Sequence, residues 1–272
     1  MKLSPDRLAP PSHPVARLPE EWVAQAKAWG EPAYRGQQIF DWIHRQGVLD
    51  PSEMTNLPKR LRARLEEEGL GWPLRVTSRH PSDDGTTKLL VAMTDGECVE
   101  TVLIPQLGDH RLVTQCISSQ VGCAMGCVFC ASGVAGLKRQ MSDAEIISQV
   151  LLGRRELGPE RRVRNVVFMG MGEPLHNYDA VARALVVITH PDGLDLSKRR
   201  VTVSTSGLVN QIERLGSDFD GQVQLAVSLH AVRDEERSAI MPVNRKHDLS
   251  ALTDALRRYP LSKRQRITIE YT

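Results

Sequence analysis

Gly122-Cys123-Ala124-Met125-Gly126-Cys127-Val128-Phe129-Cys130 sets three cysteines at a C-x3-C-x2-C spacing, shortly after a run that predicts a strand over 111–117. The chain has five cysteines, at 98, 116, 123, 127 and 130. A thiolate cluster this tight reads as a metal loop before it reads as a disulfide framework. Structural zinc takes four closed ligands, and Cys116, seven residues upstream of Cys123, is the candidate fourth, for zinc or for a closed iron–sulfur site. The other metal reading leaves one corner of an iron–sulfur cubane open to a small molecule. The bland alternative is three unrelated buried thiols. Cys98 lies in a strand pattern and is expected to be a core thiol.

Downstream of this loop the pattern alternates. Strands are predicted at 163–169, 200–205, 223–229 and 266–271, with helices at 142–155, 178–190, 207–215 and 248–258. Ser142 with Glu145 forms a capping box ahead of Ile146, Ile147, Val150 and Leu151. Val223–Leu229 is largely apolar, the signature of a strand covered on both faces. Strand and helix in repetition make a parallel β/α fold, and the predicted strands are too few for a closed eight-stranded ring. The last strand runs into Thr272 with no helix after it, so the chain is expected to stop before the fold does. The second strand ends in Met169-Gly170-Met171-Gly172-Glu173-Pro174-Leu175. Its glycines allow close backbone approach, and Glu173 is suited to accept hydrogen bonds from a ligand amino group. A plain glycine-rich turn is the alternative there.

Upstream, Lys88–Met93 and Cys98–Ile104 read as a hairpin around Asp95-Gly96. Before it, Trp22, Ala26 and Trp29 share one helical face, Ile39, Phe40 and Ile43 form a second stripe, and Leu61 and Leu65 mark a last helix. Arg35, His44, Arg45, Lys59, Arg60, Arg62 and Arg64 are expected either to present a cation-rich face or to be ordinary solvated surface. The reading is an α/β chain: an extended arm with four prolines at 1–18, a helical accessory domain at 19–72, a β-hairpin linker at 73–108 and a β/α core at 109–272.

Over 272 residues the chain is 41% apolar and 25% charged with a net charge of +2, which excludes a disordered, collagen-like or disulfide-stapled protein. Met1-Lys2-Leu3-Ser4-Pro5-Asp6 lacks the apolar region of a signal peptide, and no apolar run nears the roughly 20 residues that span a bilayer. The expectation is a cytoplasmic chain with no membrane partner. Lys198-Arg199-Arg200, Arg245-Lys246 and Lys263-Arg264-Gln265-Arg266 are weak support for a nucleic-acid partner.

C-x3-C-x2-C with Phe129 before the last cysteine resembles the cluster motif of the radical S-adenosylmethionine superfamily. Cys116-Ile117-Ser118-Ser119-Gln120-Val121-Gly122-Cys123 resembles, more narrowly, the adenine-C2 RNA methyltransferases. Further similar segments are Val99–Pro105, Val201–Gly207, Leu225–Ala231, Met241–Lys246 and Tyr34–Phe40, so the likeness runs from about residue 20 to the last residue. It implies a partial (β/α) barrel, a [4Fe-4S] cluster on Cys123, Cys127 and Cys130, and S-adenosylmethionine as the second cofactor. Gly172 and Glu173 would meet the methionine amine and Ser204 the carboxylate end, while Ser228, Leu229 and His230 would line the rest. Glu100 resembles the family's proton acceptor, and Cys116 the thiol that resolves a protein–RNA adduct by forming a disulfide. The implied partners are 23S rRNA, tRNA and an external one-electron reductant such as flavodoxin or ferredoxin, acting on a monomer. Methylation at adenine C8, another radical modification of RNA, and a non-catalytic RNA-binding relative are the alternatives. No cysteine follows Cys130, so the family's second reactive cysteine finds no match, and neither do its sixth strand and a later cofactor-contacting asparagine.

Overall fold

The computed structural model describes Leu3, residues 7–263 and residues 265–272. Arg264, part of the third basic cluster, lies outside the described residues. The chain begins with three helices, α1 (Pro19–Ala28), α2 (Tyr34–Phe40) and α3 (Lys59–Glu67). Trp22 is fully buried on α1 and its ring centroid lies 6.5 Å from that of Trp29. Helix α2 crosses close because Gly36 has no side chain: a Cβ there would fall 2.4 Å from the Val23 nitrogen. Ile39, Phe40 and Ile43 are buried as their spacing predicts. His44 belongs with them and not on the expected basic face. Its ring is fully buried at 4.4 Å from that of Phe40, and desolvation pushes its pKa down to about 3, leaving it neutral. Arg60 and Arg45 on that face are paired with Glu31 and Asp41 at 2.8 and 3.4 Å.

Four strands follow as an antiparallel meander: β1 (Leu74–Pro81), β2 (Thr87–Met93), β3 (Cys98–Gln106) and β4 (Asp109–Cys116). The predicted hairpin is β2–β3. It is no separate linker, because β3 pairs with β4 at Val102↔Cys116 and Ile104↔Thr114 and so joins the main sheet. Strand β1 escapes the periodicity reading since only Leu74 along it is buried, as suits a polar edge strand. The cysteine loop is then framed by a small hairpin, β5 (Gln120–Gly122) with β6 (Leu137–Gln140), which encloses α4 (Ala131–Ala135).

Next come α5 (Asp143–Leu157), β7 (Arg162–Phe168), α6 (Tyr178–Ile188), β8 (Val201–Thr205), α7 (Val209–Phe219), β9 (Gln224–Ser228), α8 (Asp234–Ile240), α9 (Leu249–Arg258) and β10 (Thr268–Glu270). The eight-stranded sheet runs β1-β2-β3-β4-β7-β8-β9-β10, parallel from β4 onward. Each strand and helix predicted in this half forms, with ends moved by a few residues; Lys198–Arg200 makes a 3-10 turn before β8. The capping box is present: the Ser142 hydroxyl accepts from Glu145 N at 3.2 Å, and Glu145 accepts from Ser142 N at 2.8 Å. Ile146, Ile147 and Val150 of α5, Val181 and Leu185 of α6, and Val166, Val203 and Leu225 of the strands share one core.

Of the expected arm, Met1, Lys2 and Ser4–Asp6 lie outside the described residues, and its later part is packed down. Pro14–Ala16 form a buried 3-10 turn. Arg183, 1% exposed on α6, donates to the carbonyls of Ala9 and Ala16 and to both oxygens of Glu21. Among the described residues no helix is long and apolar enough to cross a membrane.

Candidate functional site

A cavity of about 260 Å³ opens at the C-terminal ends of the parallel strands, where such sheets collect ligands. Cys123, Cys127 and Cys130 line it from the loop between β5 and α4, Gly172 and Glu173 from the turn after β7, and Ser204, Ser228 and His230 from the ends of β8 and β9. The topology thus brings together eight of the residues singled out in the sequence.

The loop is held by backbone bonds. Cys123 N donates to Gly136 O at 3.1 Å and Val128 N to Ile240 O at 3.1 Å, while Cys127 packs on Met241 and Val243. Burial raises the Cys123 and Cys127 thiols, and their neighbours' charges add to it, so that Cys127 is pushed up to about 11. Without a cation these thiols stay protonated, and a metal that binds them displaces the protons. Three soft sulfur donors on one loop suit iron. Among the described residues no three His, Cys, Asp or Glu side chains converge on a single metal ion, and it is the chemistry of the three thiol donors that fits an iron–sulfur cluster. Cys116 is absent from the cavity lining, contrary to its reading as a fourth ligand: it ends β4, paired with Val102 and Val167.

Gly172 has φ +100° and sits so near Gln120 that a Cβ would lie 2.5 Å from the Gln120 Cβ. That contact lets Gln120 Oε1 accept from Glu173 N at 2.7 Å. Glu173 is 3% exposed. Its Oε2 accepts from Ser206 N and Oγ at 2.7 and 2.8 Å, and its Oε1 from Leu175 N at 3.1 Å. Burial raises its pKa against these bonds. The carboxylate therefore enters the cavity already oriented. Ser206 and Gln120 were not singled out as site residues in the sequence, although they lie inside the noted segments Val201–Gly207 and Cys116–Cys123.

Ser204 and Ser228 meet on one carboxylate. Their hydroxyls donate to Glu270 Oε2 at 3.0 and 2.9 Å, and Glu270 lines the same cavity from the end of β10. Glu270 was missed as a site residue; its only signal was its place at the end of the last predicted strand. Leu229 does not line the cavity, and its N–H donates to Glu270 O at 2.9 Å. Arg237, fully buried, ties the two strand ends together by donating to the carbonyls of Ser206 and Ser228 at 2.6 and 3.0 Å. His230 holds φ +56°, an uncommon backbone for a residue other than glycine. Its ring stands edge-on to Phe129 at 4.8 Å.

Glu100 and Cys116 lie away from this lining. The Glu100 carboxylate pairs with Lys88 Nζ at 2.9 Å, both side chains 46% exposed. Its carbonyl accepts from Ser118 Oγ at 2.7 Å, and the same hydroxyl accepts from Met171 N at 2.9 Å, so β3 is linked to the glycine-rich turn. Burial raises the Cys116 thiol, partly offset by the Met169 backbone. All five cysteines are free, so the disulfide implied for Cys116 is not formed. Cys98 is half-buried at the open end of β3, its sulfur directed at Gly96 O, and is not a core thiol.

The family model of the radical SAM superfamily matches residues 117–267, and that of the ribosomal RNA large subunit methyltransferase N-terminal domain matches residues 20–69. The dual-specificity RNA methyltransferase RlmN of Sorangium cellulosum is 57% identical to this chain, covering 96% of it and 75% of the relative. Its namesake from Syntrophobacter fumaroxidans is 48% identical over 93% of this chain and 71% of the relative. The crystal structure of a radical SAM methyltransferase from Sphaerobacter thermophilus is similar with a TM-score of 0.89 at 42% identity, over 96% of this chain and 76% of that one.

Proposed function

The chain belongs to the radical SAM superfamily and, within it, to the family of the RlmN dual-specificity RNA methyltransferases, and on that premise we propose that its reaction is methylation of adenine C2 in 23S rRNA and in tRNA. Members of the superfamily use a [4Fe-4S] cluster and S-adenosylmethionine. The observation that carries the reading is the meeting of three thiols, an oriented carboxylate and two strand-end serines on one cavity.

Carbon 2 of adenine is not a nucleophile, so polar methyl transfer to it is slow and a radical route is needed. When bound, the cluster supplies the electron that splits the sulfonium, chemistry that belongs to the cofactor. Cys123, Cys127 and Cys130 would hold the iron. Glu173, fixed by Ser206 and Leu175, accepts the methionine ammonium, and Gly172 keeps the turn close enough for it. Ser204, Ser228 and His230 shape the remainder together with Phe129 and Met241, and Leu229 supports it from outside the lining through its backbone N–H to Glu270 O. Glu100, kept in place by Lys88, accepts a proton from the base, and Cys116 serves the covalent adduct. The RNA base must leave its stack to reach this mouth. The reaction runs in the cytoplasm, on a monomer, with an electron from a flavodoxin- or ferredoxin-type donor.

None of the five cysteines lies beyond Cys130, so the methyl-carrying thiol that the resemblance implies is not supplied by this sequence. The test therefore separates cofactor cleavage from methyl transfer. Anaerobically reconstituted chain is expected to hold about four irons, to show a reduced-cluster electron paramagnetic resonance spectrum altered by S-adenosylmethionine, and to release 5′-deoxyadenosine. Cys127→Ala should lose the iron. Nucleoside mass spectrometry of RNA from cells carrying the gene should give 2-methyladenosine. One tightly held zinc per chain, or 8-methyladenosine as the product, overturns the proposal.

A further inference from the structure

Six arginines line a groove at the end of the sheet opposite the cofactor cavity: Arg162 opens β7, whereas Phe168, which closes that strand, lines the cavity. Two adjoining hollows of about 430 and 330 Å³ make the groove, and Arg154 and Arg162 line both. Arg155 and Arg161 complete the first, Arg164 and Arg200 the second, and the acids along it are Glu53 and Asp195. Elsewhere on the surface arginines find carboxylates, as Arg79 does in Glu156, Arg214 in Asp179 and Arg258 in Glu213. Here, among the described residues, none of the six forms an ion pair. Arg154 donates to the carbonyls of His44 and Arg45 at 2.9 and 3.0 Å, Arg155 lies over the Trp72 ring at 5.5 Å, and Arg200 donates to Asn165 Oδ1 at 3.5 Å. Arg162 acts at longer range on Asp109, which Arg111 already holds.

The last turn of α5 accounts for Arg154 and Arg155, since cations suit a helix C-terminus. It does not account for Arg161, Arg162, Arg164 and Arg200, which come from other segments. Like charges gathered without partners repel, so folding gains nothing by collecting them there, and an anionic ligand offsets the repulsion. Guanidinium forks match phosphate oxygens bidentately, and an aromatic ring beside a guanidinium suits a nucleic-acid strand. Two hollows in series suit a chain of phosphates better than one small anion. The seven residues of β7, at about 3.3 Å each, put the groove roughly 20 Å from the cavity. One RNA reaches both only if it is folded and extends well beyond the target base. We propose that this groove binds the phosphate backbone of the substrate RNA at a distance from the modified base, so that a large folded RNA is preferred to a short fragment with the same target. The inference rests on the reading of the chain as an RNA methyltransferase.

The test compares iron-loaded wild type with a triple variant, Arg161→Gln, Arg162→Gln and Arg200→Gln, all three at exposed positions. Binding is titrated over a range of salt with two probes, an unmethylated 23S rRNA transcript and a short hairpin around the target adenosine. Melting temperature and release of 5′-deoxyadenosine are recorded alongside and should not change. The variant should bind the transcript about ten- to hundredfold more weakly at 0.1 M salt, with a log–log salt slope shallower by about 2–3. Its affinity for the hairpin should equal that of wild type. Unchanged transcript affinity and slope overturn the proposal, and so does an equal loss on the hairpin, which would move these arginines' effect to the cavity mouth. A variant that keeps its RNA affinity but loses binding to polyglutamate reassigns the groove to an acidic protein. If the triple variant melts early, Asp195→Asn decides: Asn tolerates the left-handed backbone at that position, where φ is +51°. It should tighten the transcript about two- to fivefold and leave the hairpin alone, and no tightening sinks the idea. Failure of the underlying reading looks different, because wild type itself would then bind neither RNA.

Discussion

Gly172 and Glu173 adjoin in sequence but are fixed by different physics. At Gly172 both the positive φ and the approach to Gln120 forbid a side chain. Gly172→Ala is expected to destabilise the fold by about 1–3 kcal/mol and to push Glu173 off Gln120, read as a lower denaturation midpoint and lost cofactor binding. At Glu173 the constraint is donor–acceptor matching. Glu173→Gln can turn its amide N–H₂ toward Ser206, which leaves the Ser206 N–H without an acceptor, or toward Leu175, which leaves the Leu175 N–H without one. The expected loss is about 1–3 kcal/mol for a buried donor left unsatisfied, and Ser206→Ala should recover only the hydroxyl's share of it. The same rule explains which site residues could be read in advance. Glu173 sits in a glycine-rich turn that advertises it, whereas Glu270 sits in an ordinary strand and reaches the cavity only when β9 and β10 pair at Ser228↔Glu270.

At the scale of elements, the capping box at the start of α5 satisfies two helix N-terminal donors reciprocally, and Glu145 also holds Arg139 through two 2.9 Å contacts. Ser142→Ala should lower stability by about 1 kcal/mol, seen as a shift of the urea midpoint with unchanged slope. Helix α5 was legible because its cap and apolar period agree, and β9 because a parallel strand covered on both faces is a largely apolar run. Strand β1 was not: one buried residue leaves no alternation to read. Nor was the β5–β6 hairpin, whose three- and four-residue strands are held by tertiary contacts such as Met141 N to Ser119 O and the Gln120–Gln140 side-chain bond. The fold of the parallel half was thus written in local pattern, and the frame of the cysteine loop was not.

For the molecule as a whole, the buried His44 sets a limit in acid. Its pKa is lowered from 6.5 to about 3 on folding, so the unfolded chain binds the proton first. Stability is undiminished above pH 6.5 and declines as pH falls from 6.5 toward 3, by about 2 kcal/mol at pH 5. His44→Leu should flatten that part of the profile in chemical denaturation, with a shallower slope left by His13, whose pKa burial also lowers. A wild-type profile that is flat from pH 7 to 5 would contradict the burial of a neutral imidazole there. The pairing of β3 with β4 also bears on how portable the cluster-bearing half is. A protein cut to begin at Asp109 would keep the cysteine loop and the parallel strands, yet it would bare the β4 backbone from Val113 to Cys116 as an open hydrogen-bonding edge. Such a fragment should self-associate through that edge, so the cluster-bearing half cannot be excised and grafted as an independent module without its meander.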